Sequence, residues 1–178
     1  MSIKINYSKN LLNKSSSNLV YFCNEKFNTN PLKKNLSSSE FDYINDLLKT
    51  TDIKKRLLIF EINSKKKIVL VSIKNNLKNS DIENLGAEFY GRINHGKKNE
   101  YYIYSDTISG KYDNFLGHFL HGMKLKSYEF KKYKSKKDNK VILIEVLGAK
   151  NKPSTQNQLK FKALEEGTFF ARDLVSEP

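Results

Sequence analysis

Three short, uninterrupted apolar runs, Leu57 to Phe60, Ile68 to Val71 and Val141 to Ile144, most tightly constrain what this chain can fold into. Each is far shorter than the roughly 20 apolar residues a membrane-spanning helix requires. Contiguous rather than alternating apolar residues suit strands covered on both faces, as at the centre of an α/β sheet. On this basis Leu57–Ile62 and Ile68–Ile73 read as two such strands. A solvated turn over Asn63-Ser64-Lys65-Lys66-Lys67 joins them. Val141–Leu147 reads as the last and most buried strand.

Helical periodicity fills the intervals. Ser37 and Glu40 have the spacing of a capping box, and Phe41, Ile44 and Leu48 then step along one face of a helix ending near Thr50. Ser80 and Glu83 repeat that spacing ahead of Ile82, Leu85, Phe89 and Ile93, the clearest amphipathic pattern in the chain. That helix ends near Asn94, and His95-Gly96 turns the chain. Asp113 is placed to cap a short helix with Phe115, Phe119 and Met123 on its apolar face, closing around Gly122. Ser2–Tyr7, Leu19–Cys23 and Glu100–Ile108 read as further strands, and Asn24–Ser38 as a long surface connection. The sum is an α/β layered domain of about six strands with helices on both faces.

The final stretch, from Pro153, predicts a helix in which Thr155 and Gln158 have capping-box spacing. Leu159, Ala163, Gly167, Phe170 and Leu174 recur at helical spacing and form one apolar stripe. A glycine inside a helix costs about 0.5–1 kcal/mol relative to alanine, so Gly167 is expected to sit in a close packing contact that a Gly167→Leu change would disrupt. Residues 1–152 therefore read as one α/β domain, and 153–178 as a connector helix leading to a further domain.

A length of 178 residues with 38% hydrophobic content, including 11 Phe and 10 Tyr, supports one packed core rather than a disordered chain. No apolar core of signal-peptide length follows Met1, and a single Cys23 can make no internal disulfide, so the cytoplasm is the expected location. The net charge of +13 resides almost wholly in lysine, with arginine only at positions 56, 92 and 172. Lysine accompanied by abundant asparagine and isoleucine matches AT-rich coding, so compositional drift accounts for the charge. Nucleic-acid binding stands as the lesser alternative, because base readout and phosphate forks lean on arginine.

Residues that could carry chemistry are few. His118 and His121 have a spacing that would let them share a metal, but no carboxylate or cysteine lies nearby in sequence, and surface or packing histidines are the simpler reading. Cys23 falls inside an apolar strand, where a thiol is inert. Glu165 and Glu166 read as solvated. Leu147-Gly148-Ala149-Lys150 is a poor candidate for a phosphate-binding loop, and the common nucleotide, nucleophile-elbow and zinc-protease motifs do not occur. No catalytic, cofactor-binding or metal-ligating residue is assigned.

Two stretches carry a resemblance. In Gly117–Lys137 a helix with Gly122 is followed by Tyr128, Phe130 and the pair Tyr133-Lys134. In Ala163–Pro178, Gly167 is followed by Ala171-Arg172-Asp173-Leu174-Val175 and then Pro178. Both resemble the N-terminal domain of the leucyl aminopeptidase (cytosol aminopeptidase) family, the second more specifically. Departures fall at His121, where an acidic residue is common, at Lys126, where glycine is frequent, and at Ser176, where asparagine is usual.

The resemblance implies a three-layer, macro-domain-like N-terminal fold, a mixed sheet of about six strands between helices, and a role in assembly and in shaping access to active sites. It also implies that the two divalent metals, zinc or manganese, and the peptide-hydrolysing residues belong to a C-terminal catalytic domain of the same polypeptide. Its expected partners are that domain and copies of itself in a hexamer. DNA is a further possible partner, and a nucleotide or ADP-ribose module of macro type is the other alternative.

Overall fold

The computed structural model describes residues 2–8, 17–94, 99–110, 112–130, 133 and 141–177. Six strands form one mixed sheet: β1 (Ser2–Ser8), β2 (Asn18–Asn24), β3 (Leu57–Asn63), β4 (Lys66–Ile73), β5 (Glu100–Tyr104) and β6 (Val141–Leu147). Their order across the sheet is β1-β6-β5-β2-β4-β3. Every pairing is parallel except β3 with β4. Among the described residues four α-helices accompany them: α1 (Ser38–Thr50), α2 (Asn79–Ile93), α3 (Phe115–Lys126) and α4 (Thr155–Ser176).

The sheet separates two apolar cores, giving three layers. On one face Val20, Phe22, Val69 and Val71 pack with Ile82, Leu85 and Phe89 of α2 and Phe119 and Met123 of α3. On the other, Tyr21, Ile68 and Leu70 pack with Ile44 of α1 and with Phe27 and Leu32 of the connection between β2 and α1. Strands whose successive residues face opposite cores must be apolar at every position, as expected for buried parallel sheets. β2 and β4 satisfy that rule best, with nearly every residue buried.

Three strand expectations change. The strand expected over Glu100–Ile108 ends at Tyr104, and Ser105–Thr107 form a short 3-10 turn after it. β6 is not the most buried strand, since Val141, Leu143 and Glu145 are exposed or half-exposed. β3 is not central: it is the antiparallel edge strand, with Ile59 and Glu61 reaching solvent. The turn between β3 and β4 is also shorter than five residues, because β4 begins at Lys66. Lys66 is buried, and its ammonium lies 2.6 Å from Glu40 Oε1 on α1. Glu40 Oε2 accepts from the Ser37 amide while Ser37 Oγ accepts from the Glu40 amide, so one carboxylate closes the helix cap and anchors the helix to the sheet.

Three helix boundaries also shift. α2 starts at Asn79, and Asp81, not the Ser80–Glu83 pair, satisfies the amide of Lys78. The residue before α3 is Asn114, in the left-handed region at φ 54°, and Asp113 is not its cap. α3 does not close around Gly122 but runs on to Lys126. Gly122 instead lies where a Cβ would come within 1.9 Å of the Glu83 carbonyl oxygen, and on the facing helix a Cβ at Gly86 would meet the Phe119 carbonyl oxygen at 1.9 Å. The two backbones thus touch through a reciprocal pair of glycines. His95-Gly96 lies outside the described residues.

Two outcomes follow from this packing. Gly122→Ala should destabilise the fold by at least about 1–3 kcal/mol in urea melts, since neither helix backbone can retreat without opening the core beneath it. Burial alone would raise the Glu40 carboxyl, but the Lys66 ammonium and the Ser37 amide outweigh it and hold it below its usual value. The stability it supplies is therefore complete above the ordinary carboxylate pKa and is lost as pH falls through its own lower value. Glu40→Gln should lower the melting temperature at neutral pH and flatten the acid side of a melting-temperature profile.

Candidate functional site

Helix α4 begins with Ser154, whose Oγ accepts from the Asn157 amide, one residue before the expected cap; Gln158 donates to the Pro153 carbonyl instead. Its only fully buried side chain is Phe161. Phe161 sits against Gly117 of α3, where a Cβ would come within 2.5 Å of its ring. The rings of His118 and His121 flank it, each 5.0 Å away. Each imidazole in turn meets a carboxylate. His118 Nδ1 lies 2.8 Å from Glu83 Oε1 on α2, and His121 Nδ1 lies 3.3 Å from Glu165 Oε1 on α4.

The two histidines are thus packing residues that tie α3 to its neighbours on both sides. The carboxylates that sequence proximity failed to supply come from other helices. Glu165 is not solvated: its side chain is 15% exposed, whereas Glu166 is 69% exposed as expected. Glu165 also adds to the burial that pushes the Tyr7 hydroxyl up to about 12. Lys124, lowered by burial, donates to the Ile3 carbonyl at 2.5 Å and ties α3 to β1. Among the described residues no three His, Cys, Asp or Glu side chains are grouped so that they could hold a metal.

Further along α4, Arg172 donates to the Leu125 carbonyl at 2.8 Å and lies 5.4 Å over the Tyr128 ring. The Tyr128 hydroxyl donates to Asp173 Oδ1 at 2.7 Å, and Phe169 packs on the same ring. Arg172, Asp173, Tyr128 and Gly122 from the two motif stretches therefore come together at this seam. Phe130 packs instead on Tyr133, and Lys134 and Pro178 lie outside the described residues. Between α2, α3 and this part of α4 is a cleft of about 460 Å³, lined among others by Glu83, Ala87, Leu125, Tyr128 and Arg172.

The opposite face of α4 overturns the expectation of a close packing contact at Gly167. The stripe of Leu159, Ala163, Gly167, Phe170 and Leu174 does not pack on the domain. Leu159 is 63% exposed, Phe170 66%, Leu174 57% and the adjoining Val175 87%. Nothing lies within 4 Å of where a Gly167 side chain would begin, so Gly167→Leu meets no obstacle within this chain. The packed face is Phe161, Glu165, Thr168, Phe169 and Arg172, half a turn round the helix.

The loop after β6 is also filled from within. Gly148 adopts φ 114°, open to glycine and strained for other residues. The Ala149 and Lys150 amides both donate to Asp106 Oδ1, at 2.9 and 2.7 Å. A side-chain carboxylate thus occupies the donors that a bound phosphate would need. Cys23 is buried, and burial pushes its thiol up to about 12, away from any nucleophilic role.

Neither a protein-family model nor a curated protein matches the chain. Solved structures do. A mutant of tomato leucine aminopeptidase superposes with a TM-score of 0.71 at 14% identity, over 99% of this chain and 39% of that one. The bottromycin maturation enzyme BotP, in complex with Mn, gives 0.60 at 11% identity, over 92% and 32%. Cytosol aminopeptidase from Coxiella burnetii gives 0.59 at 13%, over 98% and 33%. What they share is the fold. This chain spans only about a third to two-fifths of the length of those chains. No helix among the described residues is long and apolar enough to cross a membrane.

The seam makes its own prediction. Phe161→Ala should release α4 locally: amide exchange across residues 155–176 should accelerate while β2 and β4 keep their protection, because the lost contact lies outside both cores.

Proposed function

We propose that this chain is a non-catalytic N-terminal domain of a leucyl aminopeptidase-type protein, acting in assembly and in shaping access to an active site built elsewhere. The observation that carries the reading is the bare apolar face of α4. A run of large exposed side chains on one helix face is the mark of an interaction surface rather than of a helix finished by its own domain. Gly167 supports it, since a mid-helix glycine with open space around it gains nothing here and would admit a partner's backbone closely.

The occupant in this reading is a C-terminal catalytic domain of the same polypeptide. That domain would be a two-metal exopeptidase, releasing N-terminal amino acids from peptides in the cytoplasm within a homohexamer. Its zinc or manganese ions would polarise the peptide carbonyl and activate water. Residues 1–152 would form the macro-like body and 153–178 the connector. The partial overlap with a leucine aminopeptidase chain and a cytosol aminopeptidase chain, and with a BotP chain in complex with Mn, supports this assignment of roles. The competing nucleotide or ADP-ribose reading is disfavoured by Asp106, whose carboxylate occupies the loop amides.

The purified chain should hydrolyse no leucine amide with added Mn²⁺ or Zn²⁺, and the coding frame beyond Pro178 should continue into a region bearing metal ligands. Peptidase activity that copurifies with this chain, or a frame closing at Pro178 with the protein monomeric and inert in the cell, would overturn the proposal. Gly167→Ala in the isolated chain should leave stability unchanged or raise it by up to about 1 kcal/mol, opposite in sign to Gly122→Ala.

A further inference from the structure

The cleft between α2, α3 and α4 is not needed for the assembly role, and its chemistry stands apart from that reading. Its volume of about 460 Å³ lies within the range of small-molecule sites. Residues of opposite charge line it from different helices, Glu83 on α2 against Lys126 on α3 and Arg172 on α4, and Glu83 and Arg172 are held in place by protein contacts. Glu83 of α2 is fixed through Oε1 by His118 Nδ1 at 2.8 Å. Arg172 of α4 is fixed by the Leu125 carbonyl at 2.8 Å and by the Tyr128 ring beneath its guanidinium.

Arg172 makes no ion pair among the described residues: its anchor is a neutral carbonyl, and the neighbouring Asp173 accepts from Tyr128. A guanidinium has more donors than that one bond uses, in a fork matched to a carboxylate. Glu83 likewise keeps a second oxygen beyond the one held by His118, able to accept from an ammonium. Ala87, Leu125 and Tyr128 supply apolar lining, and Asn84 adds an amide.

We propose that this cleft binds a small zwitterion, a free amino acid or short peptide with an aliphatic side chain. Arg172 takes the carboxylate and Glu83 the ammonium, with the side chain against Ala87 and Leu125. Because Arg172 belongs to α4, occupancy would bridge α2 to α4 and fasten the helix more firmly to the domain.

The test is a chemical-shift titration of the whole chain with three probes: L-leucine, leucine amide, which lacks the carboxylate, and N-acetylleucine, which lacks the ammonium. Leucine should give saturable shifts at millimolar concentration, confined to the cleft residues of α2, α3 and α4. Each analogue should bind about tenfold more weakly, the scale of one lost charge-assisted contact. Arg172→Gln should weaken leucine but not leucine amide, and Glu83→Gln should weaken leucine but not N-acetylleucine. A purely structural effect of either change would weaken all three probes alike. Equal binding of the three probes, or no saturable shift with leucine, would overturn the proposal, whether or not the chain proves to be an aminopeptidase domain.

Discussion

The direct contact between the α2 and α3 backbones organises one whole side of this molecule. Gly86 faces the Phe119 carbonyl and Gly122 faces the Glu83 carbonyl, so the helices approach more closely than side chains at those positions would allow. That closeness lets a helix pair cover one face of the sheet and seat Phe89 and Phe119 against each other, with ring centroids 5.5 Å apart. It also fixes α3 as a platform. Phe161, Arg172 and Glu165 of α4 all dock on residues whose positions α3 sets. Interior packing is dense enough that a shift of one backbone would propagate through that chain of contacts.

Much of the architecture was legible in the sequence where pattern and environment coincide. β2 and β4 face a core on both sides, so their apolar runs leave no ambiguity. The cap at Ser37 and the face of Ile82, Leu85, Phe89 and Ile93 are local signals that tertiary packing leaves intact. Strand rank was less accessible. An apolar run at an edge, such as Leu57–Phe60, looks the same as one at the centre, because burial of its outward residues depends on neighbours far away in sequence. Lys66 shows the same limit from the other side: in the chain it is one lysine of three, and only Glu40 across the layer singles it out.

Helix α4 shows why amphipathic pattern alone cannot name a partner. Its apolar stripe and its packed face are different surfaces, and the packed one includes a glutamate paired with a histidine. Periodicity identified a face that wants cover, yet it could not show the second face that packs on this domain. The two histidines hold packing roles whose partners sequence alone does not reveal. At the level of sequence they lacked carboxylates, and the fold brings one to each from opposite directions, pairing them as structural fasteners around Phe161. Residues of the second motif that lie at the seam, Arg172 and Asp173, gained a physical role there in holding Tyr128.

The Asp106 carboxylate turns the loop after β6 into a self-liganded nest. Backbone amides arranged to embrace an anion are satisfied permanently by a group that cannot diffuse away. Such a loop is insensitive to the phosphate or nucleotide content of its surroundings. Yet it stands a single side chain from the opposite behaviour: trimming that residue to alanine would leave an empty cradle that formate or acetate from solution could occupy.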